Sequence, residues 1–373
     1  MRKLNPLLRG LSFTSLFLVS SLFLLDIALR IKYRGNTGPT AYKRYVKPYT
    51  YVKENYIKAG MNEKDIKQLL AQTWVTNGWS YESVIGFKET PRKNKYVNIS
   101  SLGFRRNSKN LPSDEEFINQ DQDIKNESIY FFGGSSGFGY GVKDSHTVPA
   151  NIEKLSKNYK VFNFGRGYYY SEQENLLLDQ LLKYGSPKPD KAIFLDGMNE
   201  RCEIGSYQSQ MKQMFAALAT NKWDWSPVEY AKPIVKIANV IKVKQRGRNI
   251  VGVKIFTPTC KTNLTNKTLN LSDVFKSNLK MRDQICTEHK ITCYTFIQPL
   301  PGRKNIHKHN QFSQEYMNEK HKVLLQASSS IKHKVIDVSE ALINIKSHAW
   351  IDNVHYSPEA TEAIAKEIVK QLK

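Results

Sequence analysis

Beyond Glu127 the chain alternates short apolar runs with longer amphipathic stretches, and this alternation constrains the fold more than any other feature. Parallel strands need a helix-length crossover between them, so such a pattern reads as a parallel βαβ sheet. Strands are expected at residues 129–132, 160–164, 192–195, 291–297 and 335–338, with helices between them that include 171–184 and 272–289. A last helix follows Ser357: that serine caps it, Pro358 suits its first position, and Ala360, Ile364, Ile368 and Leu372 share one face. The expected fold is α/β, a three-layer α/β/α domain over residues 127–373 with a five-stranded, mostly parallel sheet.

Residues 11–29 read LSFTSLFLVSSLFLLDIAL, flanked by Arg2, Lys3 and Arg9 before and by Arg30, Lys32 and Arg34 after. A helix of about 20 such residues crosses a bilayer, and Asp26 lies near one end where it reaches the interface. No small-x-small cleavage site follows, so an uncleaved N-terminal transmembrane helix is expected within residues 1–35. Basic residues flank the span more heavily on its C-terminal side, which by itself favours a cytoplasmic body, but large domains translocate largely regardless of charge. The expectation adopted is a single pass through a bacterial cytoplasmic membrane, with the body on the extracytoplasmic side. Residues 36–126 are aromatic, basic and turn-rich, with a polar helical stretch at 62–73, and read as an accessory lead-in region.

The 56 Lys and Arg residues exceed the 34 Asp and Glu by enough to give a net charge of +22. They are spread over the whole length and accompany no zinc-finger, RNP-type or helix-turn-helix signature, so a solvated basic surface is expected and no nucleic-acid partner. Cys202, Cys260, Cys286 and Cys293 lack C-x-x-C spacing, which argues against structural zinc. Core thiols are the default expectation; outside the cytoplasm, Cys286 can pair with Cys293 across a helix-to-strand turn. Five N-x-S/T sequons, at Asn98, Asn126, Asn263, Asn266 and Asn270, match the chance rate of an Asn-rich chain. No metal and no cofactor is expected.

In open parallel sheets the working residues gather beyond the carboxyl ends of the strands. The first strand runs into Gly133-Gly134-Ser135-Ser136-Gly137, a turn able to present a serine hydroxyl and free N–H groups. Neither a P-loop nor G-x-G-x-x-G is completed here, and a plain flexible turn is the competing reading. The second strand ends at Gly165-Arg166-Gly167 and the third at Gly197-Met198-Asn199-Glu200, where a glycine N–H and an asparagine amide can face a developing oxyanion. Their competing readings are a turn and a helix N-cap. Near the C-terminus stand Asp352 and His355, with two residues between them, so that the carboxylate can hold the imidazole Nδ1–H and leave Nε2 as a base. The competing reading is a surface histidine beside a capping aspartate. His307 and His309 fall in a polar loop and read as solvated.

Taken in order, GGSS, a glycine, G-x-N and D-x-x-H resemble the four blocks of the SGNH (GDSL-type) hydrolase superfamily. The strings FFGGSSGFGYGV, VFNFGRGYYYSEQE, IFLDGMNE and IDNVHYSPEA look like its bacterial membrane-associated branch linked to surface polysaccharides, and YVNISSLGFRRN looks like that branch's lead-in segment. The resemblance implies a flavodoxin-like fold, a Ser135 nucleophile rather than Ser136, an Asp352/His355 acid and base, and oxyanion donors at Asn199 and in the second block. Two departures stand out: Gly134 replaces the aspartate of G-D-S, and Glu200 replaces that of G-x-N-D. The family glycine of the second block falls on Tyr168, so Gly165, Gly167 or the Tyr168 N–H takes the role, with Gly167 preferred. The implied activity is ester hydrolysis or O-acyl transfer, on an acylated glycan or small ester, without a cofactor. The alternative is an inactive glycan-binding or envelope assembly module on the same fold. Trp223 and Trp225 offer rings that can stack on sugars, against the commoner fate of core packing.

Overall fold

The computed structural model of the chain describes residues 17, 20, 21, 23 and 24, and residues 41–75, 78–82, 84–120, 126–200, 259–261, 268–301, 314–329, 331–332 and 334–372. Most of the expected membrane span lies outside the described residues, as do Cys202, Trp223, Trp225, Asn263, Asn266, His307 and His309. Among the described residues no helix is long and apolar enough to cross a membrane. Residues 37–218 and 253–373 group into one unit, to which every contact below belongs.

The lead-in opens with α1 (Thr50–Lys58) and α2 (Glu63–Thr73). Asn62 caps α2 by accepting the Asp65 N–H at 2.9 Å, and the helix buries Ile66, Leu69 and Leu70. A hairpin of β1 (Trp79–Glu82) and β2 (Gly86–Glu89) sets Trp79 opposite Glu89, and α3 (Asp114–Ile118) starts on a capping box of Ser113 and Glu116. The sheet begins with β3 (Glu127–Gly133), which runs straight into a one-turn helix, α4 (Ser135–Phe138). There follow α5 (Val148–Leu155), β4 (Tyr159–Asn163), α6 (Ser171–Lys183) and β5 (Lys191–Asp196). A second ribbon, β6 (Thr259–Lys261) with β7 (Thr268–Asn270), leads to α7 (Leu271–Glu288) and β8 (Thr292–Ile297). Then come α8 (Gln314–Ser328), β9 (Val335–Asp337) and α9 (Pro358–Gln371). Ser357 caps α9 through the Ala360 N–H.

The five strands of the central sheet run parallel in the order β4-β3-β5-β8-β9. In chain order this is 2-1-3-4-5, the flavodoxin-like winding, whose switch point lies between β3 and β5. Both faces are covered, which is why the strands read as unbroken apolar runs. On β3, Ile129 and Phe131 pack with Ile193, Phe296, Ile364 and Ile368, while Tyr130 and Phe132 face Phe162, Phe194, Leu177 and Ile285. A third cluster joins the lead-in to the strand ends: Tyr56, Leu69 and Leu70 pack with Phe138, Tyr140 and Ile351.

The default of core thiols is corrected at one pair. Cys286, at the end of α7, and Cys293, on β8, form a disulfide, because the intervening turn brings their Cα atoms to 6.2 Å. Two sequons are structurally engaged: Asn98 bonds Asp144 at 2.6 Å while buried, and Asn270 caps α7 by accepting the Ser272 N–H.

Candidate active site at the carboxyl ends of the strands

Ser135 is the first residue of α4, set by the strand-to-helix turn at Gly133 and Gly134, and its side chain is partly exposed. Its N–H belongs to the first turn of that helix and donates to no described acceptor. Gly134 is required here: a Cβ would fall 2.2 Å from Asn199 Nδ2 and 2.9 Å from the Tyr169 carbonyl oxygen. The missing side chain thus lets the amide from the end of β5 lie beside the serine turn. Asn199 Nδ2 donates one hydrogen to that Tyr169 oxygen at 2.8 Å, which fixes the direction of the second.

The loop after β4 closes the other side. The N–H of Gly165 donates to Asn163 Oδ1 at 2.9 Å and that of Arg166 to the Gly133 carbonyl at 2.9 Å. The Gly167 N–H donates to no described acceptor, so backbone accounting favours it over Gly165 as a free donor. Gly165 serves instead as a point of contact, since a Cβ there would stand 2.4 Å from the Phe138 nitrogen.

Asp352 and His355 lie in the loop before α9, closed by an Ile351 N–H to His355 carbonyl bond of 2.9 Å. Asp352 Oδ2 is 2.6 Å from His355 Nδ1, and Oδ1 accepts the N–H groups of Val354 and His355 at 2.8 Å each. Burial pushes the Asp352 carboxyl up, but the imidazole and these hydrogen bonds outweigh it and hold the group below the usual carboxylate value. An ionised carboxylate only accepts, so Nδ1 carries the proton and Nε2 is the basic nitrogen. Nε2 is buried and has no hydrogen-bond partner among the described residues. Ser136 Oγ lies 3.5 Å from the Val354 carbonyl oxygen, which brings the serine turn against the histidine loop. Five expected residues from three strand ends and one pre-helix loop therefore meet in one place.

Several participants carry no motif. Trp74, directly after α2, sets its ring edge-on to His355 at 5.8 Å, and Tyr140 stacks on His355 at 5.4 Å. The Tyr140 hydroxyl donates to Glu89 Oε1 at 3.1 Å, and burial, then the Glu89 charge, raise its pKa well above the ordinary value. Arg105, fully buried, pairs with Asp144 at 2.9 Å and donates to the carbonyls of Phe138, Gly139 and Val142. It thereby holds the turn that follows α4. Arg166 ties the β4 loop to the hairpin through Glu82 and the Phe87 carbonyl. Of these, Tyr140, Arg105 and Arg166 fall within strings singled out from the sequence, whereas Trp74 does not. A cavity of ≈ 550 Å³ elsewhere, lined by residues such as His321, Leu325 and Asp337, contains none of these groups.

Glu200, which stands where the superfamily that the sequence resembles has aspartate, caps α6: it accepts the Ser171 N–H at 3.0 Å and the Ser171 hydroxyl at 2.7 Å. Burial and then the Asp196 charge overcome those bonds and raise its pKa from 4.5 to about 7. Folding therefore disfavours the ionised form. The stabilisation from this group is full below the unfolded value of 4.5 and declines as pH rises to about 7. Against wild type, Glu200→Gln is expected to gain relative stability over that window by up to about 1.4 kcal/mol per pH unit, read by denaturant unfolding at pH 5 and pH 8. A pH-independent difference between the two proteins would contradict this.

No family model matches the chain, and no curated protein matches it in sequence. Solved structures do match, 66 chains in all, and many are GDSL-type lipolytic enzymes or acetylesterases. An acetyl xylan esterase is 12% identical with a TM-score of 0.38, over 66% of this chain and all of its own (100%). A G-D-S-L lipolytic family member from Veillonella parvula is 11% identical with a TM-score of 0.39, over 65% of this chain and 96% of its own. A lipase/acylhydrolase from Enterococcus faecalis is 15% identical with a TM-score of 0.37, over 66% and 95% respectively.

Proposed function

We propose that this chain is an SGNH-type serine esterase or O-acyltransferase that works through a Ser135 acyl-enzyme. The observation that carries the reading is the ordered Asp352–His355 pair, whose Nε2 is buried and unpartnered among the described residues, in a loop packed against the glycine turn that bears a serine. His355 Nε2 takes the proton from Ser135 Oγ as the oxygen attacks an ester carbonyl, and Asp352 holds the imidazole and stabilises its charged form. The N–H groups of Ser135 and Gly167 and the second amide hydrogen of Asn199 bind the developing oxyanion. His355 then returns its proton to the departing alcohol, and the acyl group passes to water or to a second alcohol. The acetylated-glycan class is proposed as substrate, in keeping with the envelope branch that the sequence strings resemble. The Cys286–Cys293 disulfide supports an oxidising compartment, and with the apolar stretch at 11–29 it supports a membrane-tethered enzyme outside the cytoplasm.

A fluorophosphonate probe tests the central claim, because it reacts only with an activated serine. The expected result is one label per chain, located on Ser135 by mass spectrometry. Folded protein that takes no label would favour the binding module instead. The oxyanion assignment has its own test in Gly134→Ala, whose Cβ must displace Asn199. Its kcat is expected to fall by roughly 10²–10³, as is that of Asn199→Ala. The double variant should be little worse than either, and additive losses would separate the two residues.

A further inference from the structure

A buried acceptor with no partner costs about 1–3 kcal/mol, so the bare Nε2 of His355 calls for an explanation. The cover over it comes from two places in the chain. Tyr140 lies flat on the imidazole, with 19° between the rings, and Trp74 stands edge-on to both, 5.8 Å from His355 and 5.6 Å from Tyr140. Trp74 is only half-buried, and it is placed by α2, whose Leu69 and Leu70 pack in the cluster that holds Phe138, Tyr140 and Ile351. Gly141 keeps this contact close: at φ +79, a Cβ would fall 1.8 Å from Ile351 Cδ1 and 3.2 Å from the Trp74 ring.

We propose that Trp74 is a specificity-determining residue that shields His355 Nε2 from water and reserves the acyl-enzyme for a ring-bearing alcohol such as a sugar. The proposal rests on the Ser135 acyl-enzyme described above. Deacylation requires an incoming O–H to give its proton to Nε2 while its oxygen attacks the acyl carbonyl. The C–Oγ bond then breaks, and His355 returns the proton to Ser135. Water and a sugar hydroxyl are equivalent in this step and differ in how they reach Nε2. A sugar can stack its apolar face on the exposed part of the indole and use that binding to move the ring aside. Water offers no such contact. The lead-in thereby sets the outcome of a reaction whose bond-making groups all lie beyond Glu127.

The test uses the full-length chain in mild detergent, rapidly mixed with p-nitrophenyl acetate. Wild type is expected to release one nitrophenolate per site in a burst and then turn over slowly. Methyl glucoside should accelerate that slow phase and appear as its acetyl ester. In Trp74→Ala the ratio of hydrolytic deacylation to acylation should rise by about tenfold or more, with the glucoside effect lost, while Trp74→Phe restores much of both. A burst-competent Trp74→Ala with the wild-type ratio overturns the proposal. So does a wild type that shows no burst or no response to glucoside, which keeps the test decisive even where the alanine variant fails to fold. Ser135→Ala separates the two levels of inference: undiminished nitrophenolate release from that variant, or no acetyl on Ser135 in the wild-type burst, removes the serine reading itself.

Discussion

Ser135→Ala lowers ester turnover by a factor on the order of 10⁶, with the protein still folded and substrate binding little changed. The size follows from the loss of the covalent route, since neither Ser136, whose hydroxyl is turned to the Val354 carbonyl, nor water at a buried Nε2 replaces it. His355→Ala should lose about as much, and the double variant no more, because a nucleophile and its base act as one unit. Turnover of p-nitrophenyl acetate, with the melting transition as a control for folding, measures this. Activity within tenfold of wild type in either single variant would end the serine reading.

Asp352→Asn comes next, with an expected loss of about 10⁴ in kcat. The reason is proton placement. The carboxylate is surrounded by donors, two N–H groups on Oδ1 and the imidazole on Oδ2. An asparagine keeps its oxygen toward the N–H groups of Val354 and His355, which turns its NH₂ toward Nδ1. That nitrogen must then accept, and the ring proton moves to Nε2, where a base is needed. The low field Nδ1–H proton signal expected of wild type should disappear in the variant, and its retention together with full activity would show that Asp352 only shapes the loop.

How far the site was legible can be argued from single residues. Asp352 and His355 are three apart, and no tertiary information was needed to see that one turn brings them together. Ser135 drew its meaning from being at the end of a recognisable apolar run, and the same holds for Asn199. The lead-in was different. A stretch with few periodic apolar residues showed turns and one polar helix, but nothing in it announced that Trp74 would meet His355 or that Arg105 would support the turn after Ser135. Those contacts join positions 281 and 30 residues apart or more, from segments whose local patterns are independent. The second-block donor was a third case. Gly165, Gly167 and the Tyr168 N–H were its candidates by spacing, and the hydrogen bond that Gly165 makes to Asn163 Oδ1 favours Gly167 over Gly165.

The sequence by itself determined the parallel sheet, its strands to within two residues at each end, the capped last helix and the four motif positions. These are properties of local periodicity, capping and turn chemistry, which act over a few residues and leave their mark in residue order. Only the tertiary structure decided that Gly134 exists to admit Asn199, that Glu200 caps α6, that Cys286 bonds Cys293, and that aromatic rings from two segments cover the histidine. Each of these depends on close approach between chain segments, and close approach is set by packing of the whole unit, on which spacing along the chain is silent.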